Sequence, residues 1–246
     1  MDKMISIVIR TYNEQKHIRE VMEILSKQTY KNFEIILIDS ESTDDTIKIV
    51  SEYKKVLSLK ILKIKKKDFD YSYASNMGVQ HASGDIICFL SGHSVPVYTD
   101  YLSEINKVFK NEIIGGCYGD VIALDDGSLY EKIYNKLGVI KNKIIGKGNE
   151  TVVEKTFHKG MLSCSNASIR RDVLLNHPFA KELGKNGGED LEVAYRILQD
   201  GMYIAMVPRL LVKHSHGKNL IEFIKELKNW KKIYNEVIQY INNTKE

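Results

Sequence analysis

The chain is poor in the features that would fix its class at once. Its three cysteines, Cys88, Cys117 and Cys164, are odd in number and widely spaced. No two have metal-site spacing and three thiols cannot close a disulfide set, so they read as reduced core residues of a cytosolic protein. No apolar run approaches the ~20 residues of a membrane span. Ile5 to Ile9 is also too short for a leader, and Arg10 ends it. The first loop lacks G-x-G-x-x-G, which argues against a dinucleotide-binding dehydrogenase. No G-x-x-x-x-G-K-[ST] is present, which argues against a P-loop phosphotransferase. There is no internal repeat and no low-complexity tract. Neither charge sign dominates: 246 residues carry a formal net charge of +4. That balance permits an anionic partner such as a nucleotide diphosphate or a lipid surface, and it gives no reason to expect nucleic acid.

What is present is an alternation of buried strands and amphipathic helices. Ile5 to Ile9 and Phe33 to Ile38 read as strands. Between them Ile18, Val21, Met22 and Leu25 recur at helical spacing. Ser42-Thr43-Asp44-Asp45 reads as a helix start, and Leu59 to Ile64 as a strand near a sheet edge. Ser72 is expected to cap a short helix through His81. A helix follows Pro96, and Ile113 to Ile122 reads as one strand. From Asp125 to Lys159 the pattern weakens, and Lys141 to Asn149 reads as a mobile loop. Met161 to Ile169 returns to the core, Glu189 to Leu198 is a helix, and Tyr203 to Val207 and Leu210 to Lys213 are late strands. The class is α/β, a mostly parallel doubly wound sheet flanked by helices. Residues 1–217 form the main domain. Residues 218–246 form an extension around an amphipathic helix from Leu220 to Ile241, whose lysine face suits either solvent or an anionic membrane.

The organising stretch is Gly84 to Pro96. Ile86 to Leu90 is a fully apolar run, and its exit, Ser91-Gly92-His93, is small and polar with an imidazole. In an open α/β sheet, ligands bind beyond the carboxyl ends of the strands. The exit therefore reads as the wall of a phosphate-bearing ligand site.

The order Thr11-Tyr12-Asn13-Glu14, Asp39 to Asp44, Asn76, Gly84-Asp85, Phe89 to Pro96 and Gly188-Glu189-Asp190-Leu191-Glu192 resembles family 2 glycosyltransferases. The resemblance covers roughly Met4 to Gly217. It implies a GT-A-type fold and an inverting transfer of sugar from a nucleotide diphosphate to a hydroxyl of a glycan or lipid-linked acceptor. It further implies that Thr11, Tyr12, Asn13 and Glu14 hold the base and ribose, that Asp39 contacts the base, and that the Asn76 amide reaches the nucleotide. The basic residue common before that asparagine is Ser75 here. The family's Asp-x-Asp metal motif falls on Ser91-Gly92-His93, so both carboxylates are missing. His93, with one of His214 and His216, is then the candidate to hold manganese, magnesium or the diphosphate itself. Asp190 is the expected base on the acceptor hydroxyl, and Glu189 binds acceptor hydroxyls. Gly160 to Arg171, with Ser165, Asn166 and Arg170, is expected to floor the site, and Lys141 to Asn149 to close over it.

Together these readings describe a cytoplasmic enzyme of surface polysaccharide or cell-wall glycan synthesis working at the inner face of a membrane, which the helix over 220–241 contacts. The Ser-Gly-His exit is similar to the rhamnosyltransferase branch, so a deoxythymidine-diphosphate sugar is a candidate donor. The competing reading is a catalytically silent nucleotide-sugar-binding or scaffolding protein whose missing carboxylates reflect lost chemistry.

Overall fold

Ile5, Ile7, Val8 and Ile9 leave no polar face, so β1 (Ile5–Thr11) has to be covered on both sides, and all four are fully buried. The computed structural model describes residues 2–145 and 150–244. In it α1 (Ile18–Ser26) leads to β2 (Phe33–Asp39), and α2 (Thr46–Glu52) to β3 (Leu59–Lys63). Then come α3 (Tyr71–His81), β4 (Ile86–Ser91), β5 (Val95–Pro96), α4 (Tyr101–Val108), β6 (Ile114–Tyr118) and β7 (Val121–Ile122). The second half carries α5 (Leu129–Ile145), β8 (Val152–Glu154), β9 (Ala167–Arg170), α6 (Arg171–Asn176) and α7 (Glu189–Gln199). β10 (Tyr203–Met206), β11 (Val212–Lys213) and α8 (Leu220–Asn243) complete it.

The main sheet has the order β3-β2-β1-β4-β9-β6-β10-β8, and β5-β11-β7 form a small second sheet. β3, β2, β1 and β4 run parallel to one another, as do β6 and β10, whereas β9 and β8 are antiparallel to their neighbours. Two apolar layers result. One packs α1, α2 and α4 on one face, and the other packs α3, α6, α7 and the end of α8 on the opposite face. The register of β1 against β4 aligns Arg10 with Ser91. The strand ends that were expected to carry a ligand therefore sit side by side.

The structure corrects several local expectations. The single strand over Ile113 to Ile122 is two, broken at Gly119 and Asp120, because the Asp120 carbonyl turns away to accept from Val212 N–H and Asn166 Nδ2. The Met161 to Ile169 stretch is core as expected, with Met161, Leu162, Cys164, Ala167 and Ile169 buried, and β9 begins within it at Ala167. Asp70, not Ser72, caps α3: its carboxylate accepts from Tyr73 N–H at 2.9 Å, while Ser72 Oγ donates to the Ala180 carbonyl. The weak region from Asp125 contains α5, a helix of 17 residues, so Lys141 to Ile145 is helical and not a loop. Residues 146–149 of that expected loop lie outside the described residues. The last helix is docked, with Val237 and Ile241 buried in the second apolar layer. No helix among the described residues is long and apolar enough to cross a membrane.

Asn166 is the polar hub that joins the halves. Its Oδ1 accepts from Tyr101 O–H at 2.8 Å, and its Nδ2 donates to the carbonyls of Leu210 and Asp120 at 2.7 and 3.1 Å, all buried. Replacing it with alanine strands three polar groups, each worth about 1–3 kcal/mol when left unpaired. Asn166→Ala is expected to lower unfolding free energy in urea by roughly 3 kcal/mol; a loss under about 1 kcal/mol would show that water replaces the amide there.

Candidate functional site

The site grows from the ends of β1 and β4. After Arg10 the chain leaves the sheet through Thr11, and Asn13 takes a left-handed turn (φ 53°). Asn13 does not cap α1. Its Oδ1 accepts from Thr43 N–H at 2.8 Å and its N–H donates to Ser42 Oγ at 2.9 Å. The Glu14 N–H donates to Thr46 Oγ1 at 2.7 Å, so the loops after β1 and β2 are laced into one wall. Asp39, buried at the end of β2, accepts the Ser42 N–H at 3.2 Å, which shapes its own turn. Tyr12 lies exposed beneath Lys66, whose Nζ bonds its hydroxyl at 2.7 Å and sits 4.4 Å from its ring centroid. Asn76 departs from its expected role. Its Nδ2 donates to the Phe179 carbonyl and its Oδ1 accepts from the Phe179 N–H, so both ends of the amide are engaged in holding backbone. Arg170 likewise spends its guanidinium on the carbonyls of Ile114, Phe109 and Asn111 and on Glu112.

At the exit of β4, Ser91 Oγ is paired with Ser94 Oγ at 2.7 Å. Gly92 has no room for a side chain, since a Cβ there would meet Glu14 Cγ at 2.6 Å and Thr11 Oγ1 at 2.8 Å. That close approach lets Glu14 reach His93, with Oε1 2.7 Å from Nδ1. The Glu14 carboxylate can accept only from a protonated Nδ1, and in that tautomer Nε2 offers a lone pair. Nε2 is buried and has no hydrogen-bond partner among the described residues. The His93 ring stacks on His214 at 4.6 Å and meets His216 edge-on at 5.0 Å, and one ligand nitrogen from each of the three lies within 4.8 Å of the others. Burial, reinforced by the neighbouring imidazoles, pushes His214 well below the usual histidine range and His216 down as well, so these two rings stay neutral. Three imidazoles converging with an orphan nitrogen and a carboxylate behind one of them suit a divalent transition metal. The expected His93 partner is thus a pair, His214 and His216 together.

The second cluster lies at the N-terminus of α7. Gly187 and Gly188 both have positive φ (88° and 100°), and Gly188 packs against Val237 and Ile233, so the turn that launches Glu189 and Asp190 needs glycine. Asp190 Oδ2 accepts the Cys164 N–H at 2.9 Å, and Oδ1 accepts the Leu191 N–H at 2.8 Å. Glu189 Oε1 meets Arg10 Nη1 at 3.3 Å. Burial, with the negative charge of Asp190, pushes Glu189 up to about 7, and burial raises Asp190 against the pull of the Cys164 N–H and Arg10.

Arg10 is the residue that sequence reasoning missed. Its guanidinium also reaches Ser75 Oγ at 3.2 Å and stacks on Tyr71 at 5.0 Å. The basic group absent at position 75 thus arrives from the neighbouring strand. The two clusters share one end of the sheet. Ser165, next to Cys164, lines the same cavity of about 180 Å³ as His214 and His216.

An imidazole cluster packed against Gly92 and a carboxylate pair, Glu189 buried and Asp190 half-buried, thus stand at one end of the α/β sheet. The chain matches glycosyl transferase family 2 over residues 6–177, and it belongs to that family. Over 252 residues it is 36% identical to a dolichyl N-acetyl-alpha-D-glucosaminyl phosphate 3-beta-D-2,3-diacetamido-2,3-dideoxy-beta-D-glucuronosyltransferase of Methanococcus voltae, covering 90% of this chain and 70% of that protein. Over 220 residues it is 26% identical to the O-antigen chain rhamnosyltransferase RfbN of Salmonella typhimurium, covering 87% of this chain and 67% of that one. Among solved structures it superposes on the mannosyltransferase PcManGT from Pyrobaculum calidifontis, in complex with GDP-Man and Mn2+, with a TM-score of 0.72 and 19% identity. That match covers 97% of this chain and 65% of the mannosyltransferase. The fold is of GT-A type.

A carboxyl raised in the folded state favours the protonated form, so the native state loses stability as pH climbs from the ordinary glutamate value of 4.5 towards 7. Glu189→Gln removes that titration. The melting temperature of the variant is expected to gain on that of the parent between pH 5 and pH 8; parallel profiles would show that Glu189 ionises without cost.

Proposed function

We propose that this chain is an inverting glycosyltransferase that moves a sugar from a nucleotide diphosphate to a hydroxyl of a glycan or lipid-linked acceptor, in surface polysaccharide or cell-wall glycan synthesis. The observation that carries the proposal is the meeting of two chemically distinct clusters at one end of the sheet: three imidazoles suited to a diphosphate with its cation, and a carboxylate pair, Glu189 buried and Asp190 half-buried, suited to a proton. The relatives named above act on O-antigen and dolichyl phosphate glycans, and the mannosyltransferase binds GDP-Man with manganese; both fit this reading.

In the proposed reaction the donor base and ribose lie against Thr11, Tyr12, Asn13, Glu14 and Asp39, and the diphosphate reaches Ser91, Gly92 and His93. A divalent cation held by His93, His214 and His216 would neutralise the charge that develops on the departing nucleotide, and ring-nitrogen ligands favour manganese over magnesium. Asp190 takes the proton of the acceptor hydroxyl as its oxygen attacks the anomeric carbon from the side opposite the leaving group, which inverts that centre. The Cys164 and Leu191 N–H groups hold the carboxylate in place. Arg10 restrains Glu189, which orients acceptor hydroxyls. The work is assigned to the cytoplasm at the inner face of a membrane.

Asp190→Asn keeps the volume and removes the base. Transfer is expected to fall by 10²–10⁴-fold, while stabilisation by donor in a thermal shift persists at about 2.7 kcal/mol for a hundredfold excess over Kd. Transfer at the parent rate in that variant would remove the assignment. Manganese binding is read without turnover, from the loss of the free-ion signal in electron paramagnetic resonance. His93→Ala and His214→Ala are each expected to weaken it at least tenfold; unchanged binding would place the cation elsewhere.

A further inference from the structure

Helix α5 is inside out. Two of its polar residues face the protein: Glu131, the only acid on the helix, is buried and accepts the N–H groups of Ser128 and His216, while Asn142 donates to Asp120 at 2.7 Å. Its apolar residues face away. Leu129, Ile133, Leu137, Ile140 and Ile144 share one face at helical spacing and are between 43% and 75% exposed. An ordinary surface helix has the opposite arrangement, and exposed apolar patches of this extent mark an interaction surface. Lys132, Lys136 and Lys143 run along one edge of that face and Lys141 lies on the other. The stripe continues on α8 through Tyr134, whose ring centroid lies 6.0 Å from that of Trp230, and there Ile221 and Ile224 are exposed among Lys225, Lys228 and Lys231, with Glu222 the one exposed acid between them.

We infer that the α5 face, with the first half of α8, docks on an anionic lipid bilayer. An apolar stripe flanked by lysines, with no exposed acid on α5, is complementary to acyl chains beneath negative headgroups. A partner chain of the usual mixed charge would not ask for that pattern. The aromatic pair Tyr134 and Trp230 suits the headgroup level. The sequence pointed to α8 alone; the structure moves the centre of the contact to α5. The cavity carrying His214 and His216 lies between α5 and α8, with Asn135, Phe223 and Trp230 in its wall. Docking would bring that cavity to the lipid surface, where a lipid-linked acceptor presents its hydroxyl, and only this last step rests on the glycosyl-transfer reading.

Trp230 is the sole tryptophan, so the unlabelled chain reports on its own docking. With vesicles of phosphatidylcholine and phosphatidylglycerol at about 7:3, the chain is expected to co-sediment, its fluorescence to shift to the blue, and brominated lipid to quench it. Lys132→Gln, Lys136→Gln and Lys143→Gln combined are expected to lower partitioning about a hundredfold, near fivefold for each lysine. Ile133→Gln, Leu137→Gln and Ile140→Gln combined are expected to abolish binding with the melting temperature unchanged, because these side chains pack on little. Two results would overturn the inference. One is equal behaviour with neutral and anionic vesicles. The other is a dimer in solution that the apolar triple variant turns into a monomer, which would make a second copy the occupant. Donor-induced thermal stabilisation, measured in the same samples without lipid, separates a failed membrane contact from a failed nucleotide site.

Discussion

The site depends on one partly buried cation. Arg10 stands at the end of β1 with Glu189 at 3.3 Å, Asp190 beside it, Ser75 on α3 and the face of Tyr71. Two carboxylates taken out of water next to each other cannot both stay ionised without an opposing charge. The guanidinium supplies it and at the same time ties the first strand to the first turn of α7. Breaking one partner of such an arrangement leaves an uncompensated buried charge, so the geometry is held tightly. Burial is what raises both carboxyls, Glu189 further because Asp190 lies beside it, and Arg10 opposes the rise in each.

The imidazole cluster obeys the same economy. A family that commonly presents two carboxylates at this exit has Ser91, Gly92 and His93 instead. A carboxylate is nonetheless close, since Glu14 Oε1 lies 2.7 Å from His93 Nδ1. Gly92 makes that possible by leaving the space that Glu14 occupies. The result is a set of ring nitrogens, with His93 Nε2 unpartnered among the described residues, a softer donor set than carboxylates would provide. His216 is further fixed through its N–H to Glu131, so α5 supports this cluster with the same polar face that leaves its apolar side outward.

Most of the strand framework was legible because β1, β2 and β4 are buried on both faces and consist mainly of aliphatic residues. The carboxylate pair was legible from Gly187-Gly188-Glu189-Asp190, since two positive-φ glycines ahead of two acids describe a shaped turn as well as a helix start. Arg10 was not, because a charge ending an apolar run looks like a strand terminator, and nothing local reveals that it points inward. The backbone contact of Asn76 was hidden for the converse reason: its partner, Phe179, is 103 residues away. Helix α5 escaped because its apolar phase is opposite to the one a docked helix presents. β9 was seen as core, but no local pattern tells an antiparallel insertion from one more parallel strand.

The spatial relation between the two clusters is best tested by a crystal structure of the chain with a nucleoside diphosphate sugar and manganese. The diphosphate is expected against His93, His214 and His216, with the anomeric carbon between it and the Asp190 carboxylate. A sugar nucleotide seated away from these imidazoles, or an anomeric carbon on the far side of the sheet edge from Asp190, would contradict the mechanism.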